Sequence, residues 1–118
     1  EDPLAMARWY VEHLGFQVKR RVMEAPWAHF LIDETGNTML EIYGNKNAPL
    51  PDYRDMHPGI LHLAFVSNDI PADAKRLCDA GGTLEGEITA LPGGDEMIFI
   101  RDPWGFTLQL VNRATPML

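Results

Sequence analysis

The chain repeats itself. Pro71 stands 68 residues after Pro3, Arg76 stands 68 after Arg8 and Gln109 stands 68 after Glu41, while Gly105 follows Gly36 by 69. A constant offset through a helical pattern, a turn and a strand pattern restricts the fold to two copies of one unit, with one residue gained in a turn. The first copy opens on Asp2-Pro3 and an apolar stripe of Leu4, Ala7, Val11 and Leu14, followed by Gly15. Asp as N-cap, Pro in the first turn and Gly past the last turn predict a helix between them. The second copy repeats the punctuation with Asn68-Asp69-Ile70-Pro71, a stripe of Ala74, Leu77 and Cys78, and Gly81-Gly82.

A strand pattern follows each helix. Residues 27–32 run into the turn 33–37 and then Met39-Leu40-Glu41-Ile42-Tyr43; residues 97–100 run into Asp102-Pro103-Trp104-Gly105 and then 106–111. Apolar and β-branched runs on either side of a Gly-containing turn predict hairpins. The second copy also carries Ile60-Leu61-His62-Leu63-Ala64-Phe65-Val66, a strand by composition, ahead of its helix. The matching stretch of the first copy would precede residue 1. Each full unit is therefore expected to be β-α-β-β-β, the first lacking its opening strand. The expected division is a single domain over 1–118, with module one at 1–43, a linker at 44–59 bearing Pro49, Pro51 and Pro58, and module two at 60–113.

Alternate residues of a strand point to opposite faces. In the strand from Ile60, Leu61, Leu63 and Phe65 form a packing face, with Ile60, His62, Ala64 and Val66 opposite. In 39–43, Leu40 and Ile42 share one face and Met39, Glu41 and Tyr43 the other. In the last strand Phe106, Leu108 and Leu110 pack, and Thr107, Gln109 and Val111 oppose them. Three strands thus each place one metal-competent or proton-transferring group at mid-strand. A carboxylate is costly in a core unless paired, so Glu41 must face water, a partner or a metal. Imidazole nitrogen and carboxylate oxygen bind divalent transition metals at about 2.0–2.2 Å, and an amide oxygen is a weaker, uncharged ligand. Taken singly, Glu41 reads as a carboxylate on a solvated face, His62 as a hydrogen-bonded structural histidine and Gln109 as an ordinary strand residue. Their equivalence joins them. Glu41 and Gln109 hold matching places in the two copies, His62 lies in the strand that opens the second, and a pseudo-twofold would gather such positions about one axis.

Seventeen acidic residues against ten basic ones give 118 residues a net charge of −7, which disfavours nucleic acid and anionic membrane as partners. No apolar run approaches the ~18 residues of a membrane span. The N-terminus lacks the layout of a signal peptide, and a chain opening on Glu1 is expected to be processed or trimmed. A lone Cys78 excludes an internal disulfide framework and fits a reducing, cytoplasmic setting.

The segments Trp9-Tyr10 with Leu14-Gly15-Phe16, Met39-Leu40-Glu41-Ile42-Tyr43, His62-Leu63-Ala64-Phe65-Val66, and Arg101-Asp102-Pro103-Trp104-Gly105 through Gln109-Leu110-Val111 resemble the vicinal oxygen chelate superfamily, the glyoxalase/bleomycin-resistance/extradiol-dioxygenase group. The resemblance covers essentially the whole chain. It implies an α+β fold of paired βαβββ modules whose curved mixed sheet encloses a cavity. It also implies metal ligands from the opening and closing strands of each module: Glu41, His62 and Gln109, with a fourth from the absent opening strand. In the glyoxalase I type the place of Gln109 is normally a Glu that is both ligand and base. An amide cannot abstract a proton, so Glu41 is the expected catalytic base. The extradiol type uses two histidines and a carboxylate on Fe(II), and Gln109 in place of that carboxylate makes oxygenation the least favoured chemistry.

The resemblance therefore implies a lyase or isomerase that uses a divalent metal ion (Zn, Ni, Mn or Fe) on a small oxygen-rich substrate, through chelation and proton transfer. The alternative is a metal-free binder of a small molecule, similar to the bleomycin-resistance proteins. His29, Trp27, Tyr43 and Trp104 are the candidate substrate-contacting residues, each with core packing as its plainer role. A homodimer is the implied assembly.

Overall fold

The computed structural model describes residues 2–117. The chain divides into two compact units, Glu1–Leu50 and Pro51–Leu118. In the first, the helix Pro3–Leu14 (α1) is followed by the strands Gln17–Arg21 (β1), His29–Ile32 (β2) and Met39–Ile42 (β3), which form an antiparallel sheet in the order β1-β2-β3. The second runs from the strand Leu63–Val66 (β4) through the helix Ile70–Asp79 (α2) to the strands Thr83–Ala90 (β5), Glu96–Arg101 (β6) and Thr107–Asn112 (β7). Its sheet is mixed, ordered β4-β7-β6-β5, with β4 parallel to β7 and the other neighbours antiparallel. The architecture is α+β, with the helix-then-three-strands plan present twice. Among the described residues β3 is paired on one side only, whereas its counterpart β7 pairs with both β6 and β4.

Both helices begin where their caps dictate. The Asp2 carboxylate accepts the Ala5 N–H at 3.0 Å and Gly15 ends α1 in the left-handed region at φ +74°; Asp69 accepts the Ala72 N–H at 3.1 Å ahead of α2. Each side chain satisfies an N–H that the first helical turn leaves without a partner. The buried face of α1 is Ala7, Trp9 and Tyr10, while Leu4 of the expected stripe stays 39% exposed. Aromatic side chains bury roughly 150–250 Å² each, so the helix turns them inward at the expense of a leucine. Tyr10 then meets Phe16, with ring centroids 6.3 Å apart. Leu31 is fully buried in the first unit; in the second, Leu77 of α2 is buried with Ile98, Ile100, Leu108 and Leu110.

The strand expected from Ile60 begins only at Leu63. The Ile60 N–H donates to the His57 carbonyl at 2.9 Å, closing a turn over Pro58-Gly59 that holds Ile60 and Leu61 out of the sheet. Both are exposed. His62 is thus the residue that leads into β4.

Candidate functional site

Two ladders fix which side chains share a face in the second unit. Ala64 pairs with Gln109, Gln109 with Phe99, and Phe99 with Glu85; one step along, Thr107 pairs with Arg101. The alternation of strand side chains then puts His62, Ala64, Phe99, Arg101, Thr107 and Gln109 on one face. Ile98, Ile100, Leu108 and Leu110 lie on the other, the side that α2 covers.

His62 is half-buried. Its Nδ1 lies 2.9 Å from the Pro58 carbonyl, and a carbonyl can only accept, so the neutral ring carries its proton on Nδ1 and keeps a lone pair on Nε2. The ring packs edge-on against Phe99, centroids 5.1 Å apart. The amide Nε2 of Gln109 donates to the Met97 sulfur at 3.2 Å, which leaves Oε1 as the acceptor end of that side chain. The face therefore offers one imidazole nitrogen and one amide oxygen, both neutral Lewis bases.

At the end of this face Arg101 is almost fully buried. Its Nε donates to Glu85 at 3.0 Å; Nη1 donates to the Tyr53 carbonyl, the Gly105 carbonyl at 3.2 Å and the Thr107 hydroxyl at 3.0 Å; Nη2 donates to the Met56 carbonyl at 2.7 Å. Beside it the turn 102–105 is built on Asp102, 1% exposed, whose Oδ1 accepts the N–H groups of Trp104 and Phe106 at 2.9 Å each. Gly105 has φ +90°, and a Cβ there would collide with the Arg54 side chain. Trp104 sits half-buried in that turn.

The first unit repeats the row. Arg20 pairs with Phe30 and Phe30 with Glu41, Phe30 standing 69 residues before Phe99. The Arg20 guanidinium lies 5.9 Å from the Phe30 ring centroid. Glu41 is exposed, while Leu40 and Ile42 point to the side that α1 covers. His29 is on that same helix side, 3% exposed, with Nδ1 2.7 Å from the Trp27 carbonyl; it faces away from Glu41. Trp27 is 40% exposed and holds a left-handed backbone at φ +59°, a conformation that costs a non-glycine residue on the order of 1–3 kcal/mol. With Asp2, Pro3 and Leu4 it lines a hollow of about 220 Å³. Tyr43, just past β3, is 51% exposed.

Of the residues singled out in the sequence, His62 and Gln109 come together on one face of the second unit, and Glu41 holds the matching place in the first. Among the described residues, no group of three or more His, Cys, Asp and Glu side chains is gathered as a metal site. The donor types fit a divalent ion all the same: an imidazole whose other nitrogen is fixed by a carbonyl is the usual form of a histidine ligand. His62 and Gln109 supply two of the four donors of a tetrahedral zinc site. Pattern reading passed over Phe30 and Phe99, whose 69-residue offset was available, and Arg101, a charged residue in step with Phe99 on an otherwise apolar strand.

The sequence model of the Glyoxalase/Bleomycin resistance protein/Dioxygenase superfamily matches residues 1–110. The chain is 27% identical over 112 residues to the lactoylglutathione lyase GLX1 of Arabidopsis thaliana, an alignment covering 90% of this chain and 38% of that protein. It spans about two fifths of the length of the curated relatives it matches. The crystal structure of a glyoxalase family protein from Enterococcus faecalis is similar at 31% identity and a TM-score of 0.65, over 92% of this chain and 86% of that one. A glyoxalase family protein from Bacillus cereus superposes with a TM-score of 0.76 over 92% of this chain and 85% of that one, at 19% identity, a likeness of fold alone.

Proposed function

Because this chain belongs to the Glyoxalase/Bleomycin resistance protein/Dioxygenase superfamily, we propose that it acts as a divalent-metal-dependent lyase or isomerase of the glyoxalase type on a small, oxygen-rich substrate. The observation that carries the reading is the state of His62: Nδ1 tied to the Pro58 carbonyl, Nε2 left with its lone pair, on the face that also bears Gln109. In the proposal Glu41 joins these two as a ligand, with Zn, Ni, Mn or Fe(II) suiting such a nitrogen and oxygen donor set. A bound cation supplies stabilisation of negative charge developing on adjacent substrate oxygens, worth several kcal/mol.

The chain's own residues do the rest. Glu41 is the one carboxylate of the set, so it takes the proton from the substrate carbon and returns it. Gln109 has no basic lone pair on nitrogen and serves only to hold. Phe30 and Phe99 flank the polar positions of their strands and exclude water from them, which strengthens each electrostatic contact. The relation to a lactoylglutathione lyase directs the substrate search to thiol adducts of small dicarbonyl compounds. A homodimer and a cytoplasmic setting belong to the same proposal; no described helix is long and apolar enough to cross a membrane.

A second reading, a metal-free binder of a small molecule, draws on the amide at Gln109 and on the exposed rings of Trp27 and Tyr43. One experiment separates the two. The purified protein is dialysed against Zn, Ni, Mn and Fe(II) in turn, and metal content and lactoylglutathione turnover are measured for wild type, His62→Ala and Glu41→Gln. The enzyme reading expects near-stoichiometric metal and turnover in wild type, loss of metal in His62→Ala, and retained metal with turnover lost in Glu41→Gln. A wild type that binds none of the four ions rejects it and leaves the binder.

A further inference from the structure

The loop between the units' sheets, residues 51–60, has no strand ladder of its own, yet its Pro58 carbonyl holds the His62 ring. What fixes the loop is arginine. Tyr53 and Met56 present their carbonyls to Arg101, and their own strand neighbours are absent; Arg54 reaches from the loop to the Pro103 carbonyl, and the Tyr53 ring meets Phe106 edge-on at 5.2 Å. Within the loop, the Met56 N–H returns to the Tyr53 carbonyl and the Gly59 N–H to His57 Nδ1. A continuous path of hydrogen bonds and short backbone steps therefore runs from the Arg101 guanidinium to the His62 imidazole.

The sheet itself gives no reason for a buried cation at that place. Ile32 stands 69 residues before Arg101, at the matching position of the first unit, and an aliphatic side chain suffices there. Burying a guanidinium costs several kcal/mol unless its donors are met. Here one carboxylate, Glu85, and four neutral oxygens meet them, and two of those oxygens belong to the loop. The planar fork of five donors is the one side chain that can serve carbonyls at residues 53, 56 and 105 and a hydroxyl at 107 at once; a lysine ammonium has three donors on a single point.

We propose that Arg101 is a positioning residue for His62: by clamping the Tyr53 and Met56 carbonyls it holds the Pro58 carbonyl against Nδ1, and so keeps Nε2 unprotonated and the ring in one orientation. The inference rests on the reading of His62 as a ligand for its purpose, though not for its test. The test is made on the metal-free protein at about pH 8.5, above the ordinary imidazole range of ~6.5, by long-range proton–nitrogen correlation NMR of the His62 ring. Wild type, Arg101→Lys, Arg101→Gln and Arg101→Met are compared, with Leu77→Ala as a variant destabilised from the other side of the sheet.

The expected result is the Nδ1–H tautomer in wild type and Leu77→Ala, and a mixture dominated by Nε2–H, the form free imidazole favours, in the folded Arg101 variants. Zinc affinity then falls about 10–100-fold in those variants, the usual effect of removing a group that orients a ligand, and stays unchanged in Leu77→Ala. A wild-type His62 in the Nε2–H form overturns the proposal, as does an Arg101 variant that folds and keeps Nδ1–H. Unfolding of all three Arg101 variants overturns it too, because Arg101 would then be holding the fold. If wild type takes up no metal while the tautomer responds as described, the positioning role stands and the metal reading falls.

Discussion

Gly105 offers a calculable perturbation of the turn that ends the candidate site. In Gly105→Ala the new residue keeps φ near +90°, and an L-residue in left-handed backbone costs roughly 1–2 kcal/mol. The added Cβ also overlaps the Arg54 side chain and comes to 3.2 Å from the Arg54 backbone nitrogen, so the side chain must leave and its hydrogen bond to the Pro103 carbonyl is lost. For an exposed bond that is about 0.5–1 kcal/mol. The total is about 2–3 kcal/mol, and at about 4 °C per kcal/mol for a domain of this size the midpoint of thermal unfolding falls by roughly 8–12 °C. The strain is intrinsic to the turn, but the overlap requires Arg54. In an Arg54→Ala background the same substitution is expected to cost only the strain, which leaves a coupling of about 1 kcal/mol, beyond the ~0.5 kcal/mol within which independent sites add. Urea unfolding of the four proteins, followed by circular dichroism, measures the cycle. Equal cost in both backgrounds refutes the packing argument, and a cost below about 0.5 kcal/mol in wild type refutes the backbone argument as well.

Two further expectations concern stability. The Asp95 carboxyl is held below the ordinary carboxylate value by the Ala114 N–H and by the Arg113 guanidinium; a depressed folded value adds stability above the unfolded pKa of ~3.9 and loses it as pH falls through the folded one. Wild type is therefore expected to exceed Asp95→Asn in urea midpoint at pH 5 and to lose that advantage by pH 2, whereas a constant difference across the range contradicts the linkage. Asp69→Ala removes the acceptor for the Ala72 N–H and is expected to lower stability by about 1 kcal/mol, read as the same urea midpoint; no change would show that the Asp69 side chain does not cap α2.

The parts of this molecule legible in its sequence are those decided locally. Asp2, Pro3 and Gly15 delimit α1 because caps act over a few residues, and the alternation at 107–111 put Gln109 opposite Leu108 and Leu110 without any knowledge of neighbours. Where distant residues decide, the pattern misleads. Leu4 and Trp9 count equally in a helical stripe, but only the larger side chain is buried. Pro58-Gly59 carried a turn signal that shortened β4, and the β-rich composition of 60–66 masked it. Arg101 looked like an exposed strand end; its partners, Tyr53 and Met56, stand 48 and 45 residues away, and nothing near it in sequence names them. That His62 and Gln109 share a face follows from alternation plus one register, Ala64 opposite Gln109, and that register belongs to the parallel pairing of strands from opposite ends of the unit.

The account turns on one atom, the Nε2 of His62. Anomalous diffraction from crystals of the zinc-loaded protein, recorded on both sides of the zinc absorption edge, tests it directly. The expected result is a strong peak about 2.0–2.1 Å from that nitrogen, with Gln109 Oε1 and a Glu41 carboxylate oxygen in the same coordination sphere. A peak bound through Nδ1, or one lying on other side chains with His62 uninvolved, contradicts it.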